Sequence, residues 1–166
     1  LAQRGIVSGK EEGKFAPQDQ TTRAELAAML ARMSGETLEA VTDTGFTDVP
    51  AGEWYASAVV WASKHNIVQG YEGKFEPDAY VSRQDIAVMI DRYAKNVAAH
   101  ELPAQTETQQ FADDAAIAAY AKEAVYRLQA AGILNGRDNQ CFEPQAYATR
   151  EEIAKIVSLF LNGMEA

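Results

Sequence analysis

One short motif occurs three times and constrains the fold more than any other feature of the sequence. It consists of a hydroxyl residue, an arginine, any residue and an acid. The copies are Thr22-Arg23-Ala24-Glu25, Ser82-Arg83-Gln84-Asp85 and Thr149-Arg150-Glu151-Glu152. Apolar residues follow each copy at the i, i+3, i+4, i+7 spacing that is typical of one buried helical face. The sequence therefore predicts three equivalent helices in a chain built of repeats.

Further matches lie ahead of each motif and extend the repeat. Phe15, Phe75 and Phe142 each stand eight residues before the motif arginine, and a proline follows each of them by two residues. Two copies also have an opening segment, which starts at Phe46 or Phe111 and continues into helical apolar spacing from Trp54 or Tyr120. These matches are too regular to arise by chance, so we interpret the chain as a set of true repeats.

The matches predict where each repeat begins and ends. We expect residues 1–33 to be the C-terminal half of repeat 1, residues 46–95 to be repeat 2 and residues 111–162 to be repeat 3. Residues 34–45 and 96–110 are expected to be linkers. Repeat 1 lacks the opening segment, so either the sequence is a truncated or cleaved fragment or another segment completes the repeat.

Composition argues against several classes of function. A net charge of −9 is unsuited to nucleic-acid binding, which needs clustered Lys and Arg. No apolar stretch is long enough to span a membrane. The sole cysteine, Cys141, cannot form an internal disulfide. With only His65 and His100 and no catalytic or metal-binding signature, we expect no enzyme, no metal and no cofactor.

The motif itself leaves two interpretations of its arginine. Thr22, Ser82 and Thr149 are predicted to be N-caps, with the acid three residues later completing a capping box. A positive charge in the first helical turn opposes the helix dipole, so the arginine needs another reason. It could bind a carboxylate or phosphate together with the backbone donors of the helix N-terminus. It could equally form an ion pair between repeats, for example with Asp48 or Asp113.

Other residues are candidates for a ligand site with structural alternatives. Trp54 and Tyr120 could stack on a sugar ring or pack into the core. Lys14 and Lys74 occupy matching positions and could assist an acidic ligand, whereas repeat 3 has Cys141 there, which predicts that the ligand sites of the repeats are unequal. The three matching glycines could serve turn geometry or let the backbone approach a ligand. They are Gly9, Gly70 and Gly136.

Taken together, these repeats strongly resemble the S-layer homology (SLH) domain. The resemblance covers almost the whole chain apart from the linkers, with Tyr120 replacing a tryptophan and Ser82 and Asp85 replacing threonine and glutamate. It implies an all-α, pseudo-three-fold bundle of helix–loop–helix units with a central three-helix core. It also implies grooves between neighbouring repeats that bind secondary cell-wall polymer, which in many members ends in a pyruvylated amino sugar.

The resemblance therefore implies non-covalent anchoring at the surface, cell wall or S-layer of a Gram-positive-type bacterium. The alternative is a structural or self-association module that uses the same grooves for protein contacts. Such a module would have apolar groove walls, and its binding would not depend on the three arginines. The expected glycan-binding residues are Arg23, Arg83, Arg150, Thr22, Ser82, Thr149, Asp48, Trp54, Gly9, Gly70, Gly136, Lys14 and Lys74.

Overall fold

The computed structural model describes residues 18–165, and within this range the chain is all-α, with five α-helices and no β-strand. This confirms the expected fold class. Two short 3₁₀ helices occupy Asp114–Ala116 and Asp138–Gln140. The α-helices are α1 (Arg23–Ser34), α2 (Ala56–Lys64), α3 (Arg83–Asn96), α4 (Ala119–Ala130) and α5 (Arg150–Glu165). Across residues 18–165, no helix is both long and apolar enough to cross a membrane.

Each motif begins a helix at its arginine, as the sequence predicts. The Thr22 hydroxyl accepts the Glu25 N–H at 3.2 Å, and the Glu25 carboxylate accepts the Thr22 N–H at 3.4 Å, which completes a capping box. Ser82 and Thr149 likewise accept the N–H three residues on, at 3.3 Å and 3.2 Å. The predicted N-caps are thus confirmed, and each satisfies a helix donor that would otherwise lack a partner.

The helices share one hydrophobic core but do not pair within repeats. α1 packs against α2, and α3 packs against α4. The motif helix of one repeat thus lies against the opening helix of the next. The apolar faces of α1, α3 and α5 all contribute to a single buried cluster, in which Tyr93 of α3 contacts Phe160 of α5 edge-to-face at 5.7 Å. Because the repeats interleave, none of them encloses a core of its own.

Backbone pairing also links the repeats where the motif helices begin. Isolated antiparallel bridges join Thr22 to Tyr80 and Ser82 to Tyr147, and a third joins Gln20 to Thr149. The first backbone N–H groups of the helices also donate to carbonyls of other repeats. The Arg23 N–H bonds the Ala79 carbonyl at 2.9 Å, and the equivalent N–H groups of Arg83 and Arg150 bond Ala146 and Asp19. These helix N-termini therefore offer a ligand fewer free donors than the sequence suggests.

The core interpretation of Trp54 and Tyr120 is wrong. α2 begins at Ala56, so Trp54 precedes the helix, where it is 62% exposed while its neighbour Tyr55 is buried. Tyr120 lies in the first turn of α4 and is 59% exposed. Both side chains are therefore mostly open to solvent.

Candidate functional site

The three motif arginines and the three motif acids form a closed ring of ion pairs around the molecule. Arg23 Nη1 lies 3.4 Å from Asp85 Oδ2, and Arg83 Nη1 lies 3.6 Å from Glu152 Oε2. Arg150 closes the ring by contacting Glu25. Each pair joins one repeat to another, so the ion-pair interpretation of the arginines is confirmed.

The partners of these arginines differ from those suggested by the sequence. The alternatives Asp48 and Asp113 are wrong, because their carboxylates bind backbone N–H groups instead. Asp48 accepts the N–H groups of Phe75 and Glu76 at 2.8 and 2.7 Å, and Asp113 accepts the N–H groups of Phe142 and Glu143, both at 2.8 Å. Each motif acid thus receives the arginine of a neighbouring repeat, and Glu25 also accepts the N–H of its own N-cap residue.

Two of the arginines also lie over the phenylalanine that precedes the motif of the next repeat. Arg83 donates from Nε to the Phe142 carbonyl and from Nη2 to the Asn135 carbonyl, both at 2.8 Å, and its Cζ lies 4.8 Å from the Phe142 ring centre. Arg23 makes two of the same contacts with Phe75: its Nε donates to the Phe75 carbonyl at 3.0 Å, and its Cζ lies 4.9 Å from the ring centre. The guanidinium therefore ties adjacent repeats through hydrogen bonds and a cation–π contact.

The arginines differ in how much of the side chain reaches solvent. The side chain is 17% exposed in Arg23 but only 5% exposed in Arg83 and Arg150. Burial, followed by the nearby positive charge of Arg137, lowers the pKa of Arg83 from its ordinary value. Among the three, Arg23 is the one whose fork is most accessible to a ligand.

Two grooves lie beside these arginines and occupy equivalent positions in the repeats. Groove 1–2, of about 490 Å³, lies between Arg23, the loop 69–71, one face of α3 and Tyr120. Groove 2–3, of about 280 Å³, lies between Arg83, the loop 135–137 and one face of α5. Arg23 thus lines groove 1–2 and Arg83 lines groove 2–3.

Groove 1–2 combines aromatic and positively charged side chains. Tyr71 is 79% exposed at one wall, and Tyr120 stands at another. The Tyr120 hydroxyl donates to Asp85 Oδ1 at 2.6 Å, and burial together with this carboxylate raises the pKa of Tyr120 to about 12. Arg92 lines the groove and forms no ion pair with any residue between positions 18 and 165. Two aromatic faces and two guanidinium groups therefore border one open space.

Groove 2–3 contains charged groups but no aromatic side chain. Arg137 Nη2 donates to Glu152 Oε2 at 2.7 Å and to the Tyr147 carbonyl at 3.2 Å, and its Nη1 reaches Glu143 at 3.4 Å. Lys155 is exposed on α5 and makes no ion pair within the described range. The two grooves therefore occupy equivalent positions but differ in chemistry.

The glycines Gly70 and Gly136 shape the loops that border the grooves. A Cβ on Gly70 would lie 2.5 Å from Phe46 Cε1, and one on Gly136 would lie 2.8 Å from Phe111 Cε1. Neither glycine has a positive φ. Close packing against the phenylalanine of the opening segment, rather than turn geometry, therefore accounts for both glycines in this structure.

Several predicted site residues lie away from these grooves. Asp48 links the opening segment to the loop before the motif through its hydrogen bonds to the Phe75 and Glu76 N–H groups. Burial raises the pKa of Asp48, but these hydrogen bonds and the charge of Lys74 outweigh burial and lower it. Lys74 is exposed beside it, and Trp54 lies edge-to-face against Tyr55 at 5.4 Å. Thr22, Ser82 and Thr149 serve as caps. Gly9 and Lys14 lie outside the described residues.

Sequence reasoning missed four residues that line the grooves: Tyr71, Arg92, Arg137 and Lys155. A signal for them was present. Arg92 follows Asp85 by seven residues and Lys155 follows Glu152 by three, which puts each on the helical face of the motif acid. Tyr71 and Arg137 directly follow the matching glycines. None of these residues belongs to a metal site, since residues 18–165 contain no cluster of three or more possible ligands.

Comparison with known proteins shows the family to which the sequence is similar. Residues 1–27, 45–87 and 110–154 match the family model described as the S-layer homology domain. The chain is 32% identical over 95% of its length to an amylopullulanase of Thermoanaerobacterium thermosulfurigenes, of which it covers 8%. It is 28% identical over 100% of its length to the surface-layer 125 kDa protein of Lysinibacillus sphaericus, of which it covers 14%. It is 25% identical over 92% of its length to a cellulosome-anchoring protein of Acetivibrio thermocellus, of which it covers 34%.

Proposed function

The chain belongs to the S-layer homology domain family, and on that basis we propose that it anchors a larger protein to a bacterial cell wall by binding an acidic wall polysaccharide. The ligand we propose is secondary cell-wall polymer with a pyruvylated sugar, on a Gram-positive-type cell. Relatives named as surface-layer and cellulosome-anchoring proteins support a location at the cell surface. The repeat boundaries 1–33, 46–95 and 111–162 are part of this proposal.

The observation that carries the proposal is the composition of groove 1–2. Arg23 and Arg92 provide positive charge for a carboxylate, and Tyr71 and Tyr120 provide exposed faces on which a pyranose ring can stack. The chain as a whole carries a charge of −9 and repels anions at long range. A locally cationic, aromatic groove on such a surface suits an acidic sugar that is held at short range.

The proposal contains no catalytic step. The chain matches only 8% of the amylopullulanase, and the same residues match proteins whose names describe a surface layer and an anchor. The stretch that these proteins share is therefore better explained by attachment than by hydrolysis of a polysaccharide. An enzyme joined to such a module would be retained at the wall by it.

The test is calorimetric titration of the chain with purified secondary cell-wall polymer, with and without its pyruvyl groups. We expect binding to the pyruvylated form and at least tenfold weaker binding to the other, because a charged hydrogen bond contributes about 1.5–3 kcal/mol. Equal affinity for both forms would contradict carboxylate recognition.

Variants should avoid the ion-pair ring, because losing a tie between repeats would weaken binding indirectly. Arg92→Gln removes a half-buried charge and Tyr71→Ala an exposed ring of groove 1–2, and we expect each to weaken polymer binding about tenfold. Lys64→Gln is the matched control, since it removes an exposed charge on α2 away from the groove. If neither groove variant changes the affinity, groove 1–2 is not the glycan site. Self-association of the chain without polymer binding would favour the alternative structural module.

A further inference from the structure

We infer that groove 2–3 is a separate anion site that takes a phosphoryl dianion, rather than the carboxylated sugar proposed for groove 1–2. The inference goes beyond the proposed function, because it assigns a second ligand chemistry to a second groove. It depends on the side chains of groove 2–3 themselves, so it can succeed or fail independently of polymer binding.

The charge difference appears when the grooves are compared position by position. Where groove 1–2 has Tyr71, groove 2–3 has Arg137 directly after the matching glycine. On the helix that forms the far wall, the residue five positions after that helix's own motif arginine is Val88 in groove 1–2 and Lys155 in groove 2–3. A tyrosine and a valine are thus replaced by an arginine and a lysine, while Leu159 stands where groove 1–2 has Arg92, so groove 2–3 gains one cation in all.

The resulting balance favours a doubly charged ligand. Groove 1–2 holds two guanidinium groups, from Arg23 and Arg92, against the carboxylate of Asp85. Groove 2–3 is lined by three cations and the carboxylate of Glu152, and once a ligand displaces Glu143 from Arg137 the excess is two positive charges. A phosphate monoester carries close to two negative charges at pH 7 and has three strong acceptor oxygens. It matches the excess charge of groove 2–3, whereas a carboxylate matches that of groove 1–2.

The contacts within groove 2–3 leave cations available to such a ligand. Lys155 is exposed and makes no ion pair in the described part of the chain. The buried Arg83 is oriented by the carbonyls of Phe142 and Asn135, and its Nη1 lies 3.6 Å from Glu152, beyond hydrogen-bond distance. The absence of aromatic side chains among the lining residues removes the stacking surface that a neutral pyranose needs.

One acid competes with the ligand from outside the groove. Glu143 reaches Arg137 Nη1 at 3.4 Å while its side chain stays half exposed. A bound phosphoryl group would replace it on that guanidinium. Glu143→Gln is therefore expected to strengthen phosphate binding, which a purely structural ion pair would not predict.

The experiment is a nuclear magnetic resonance titration of the whole chain at low salt and about pH 7.5, where phosphate is mostly dianionic. The probes are inorganic phosphate and glucose 6-phosphate, with acetate and glucuronate as monoanionic controls. We expect both phosphates to shift the amide signals of residues 135–137 and 155, and the monoanions to bind at least tenfold more weakly. If glucose 6-phosphate binds tighter than inorganic phosphate, the ligand is a sugar-borne phosphoryl group; the reverse order indicates free phosphate.

Exchanging residues between the grooves provides matched variants. Lys155→Val and Arg137→Tyr, which install the residues of groove 1–2, should each weaken phosphate binding about tenfold, and Val88→Lys should add phosphate binding to groove 1–2. Lys64→Gln should change nothing. Equal shifts with acetate, or phosphate shifts unaffected by Lys155→Val, would overturn the inference. Lys155→Val should leave the affinity for pyruvylated polymer unchanged, so failure of one proposal is distinguishable from failure of the other.

Discussion

Arg83 in repeat 2 donates from Nε to the main-chain carbonyl of Phe142 in repeat 3 at 2.8 Å, with its guanidinium carbon 4.8 Å from the centre of the Phe142 ring. Arg23 stands in the same relation to Phe75. The arginine of the motif is therefore a joint between repeats as well as a candidate ligand contact. This explains how a cation is tolerated in the first turn of each helix, because carbonyl and carboxylate oxygens of the neighbour compensate for the unfavourable helix dipole.

The first prediction concerns this joint. Arg83→Ala should lower the free energy of unfolding by about 3 kcal/mol, because the buried Phe142 carbonyl and the Asn135 carbonyl lose this donor and Glu152 keeps only Arg137 as a cationic partner. Arg23→Ala should cost less, about 1–2 kcal/mol, since that side chain is more exposed. Urea denaturation measures both values. Equal, negligible losses would mean that the arginines do not join the repeats.

A second prediction concerns the buried hydroxyl of Thr21. Its Oγ1 has no hydrogen-bond partner among the described residues, and the equivalent positions of the other repeats hold Val81 and Ala148. Thr21→Val keeps the shape and removes the unsatisfied group, so it should raise the free energy of unfolding by about 1 kcal/mol. Thr22→Val provides the contrast, because loss of the N-cap should destabilise by about 1 kcal/mol. A destabilised Thr21 variant would show that the hydroxyl has a partner after all.

A third prediction tests the glycines that border the grooves. Gly70→Ala should destabilise by about 1–3 kcal/mol, because the new Cβ would lie 2.5 Å from Phe46 Cε1, and Gly136→Ala should cost somewhat less at 2.8 Å from Phe111. Gly52→Ala is the control, since no atom lies within 4 Å of a Cβ there. Thermal unfolding of the three variants compares them directly. If all three melt alike, close packing is not what requires glycine.

The fourth prediction concerns acid. The pKa of Asp48 lies below its ordinary value of 3.8 in the folded chain, since backbone hydrogen bonds outweigh the effect of burial. Its stabilising contribution is thus complete above pH 3.8 and is lost as the pH falls through the folded-state pKa. Asp48→Asn should be less stable than the parent at pH 7, because one backbone N–H would face an amide donor.

The same variant should match the parent more closely at low pH, because the parent carboxylate becomes protonated as the pH falls through its folded-state pKa. Urea denaturation at the two pH values measures the change. Asp78→Asn controls for the loss of a surface charge, since this exposed carboxylate accepts no hydrogen bond within residues 18–165. A stability difference that stayed constant between the two pH values would contradict the role of the ionised carboxylate.

The sequence alone determined the parts of this protein that depend on neighbours along the chain. The all-α class, the starts of α1, α3 and α5 and the caps at Thr22, Ser82 and Thr149 follow from helical spacing and from contacts over three or four residues. The repeats were visible for the same reason, and they carried the family resemblance.

Only the tertiary structure decided which groups meet across repeats. The ion-pair partner of Arg83 is Glu152 and not Asp113, and the Tyr120 hydroxyl donates a hydrogen bond to Asp85 of a different repeat. Trp54 was expected on a helix and lies exposed before it. These relations join residues tens of positions apart, and their choice depends on how α1, α3 and α5 bury their apolar faces together. Helical periodicity indicates that a face is buried but not which element it packs against. The charged residues that line each groove are therefore known only once the packing of the repeats is known.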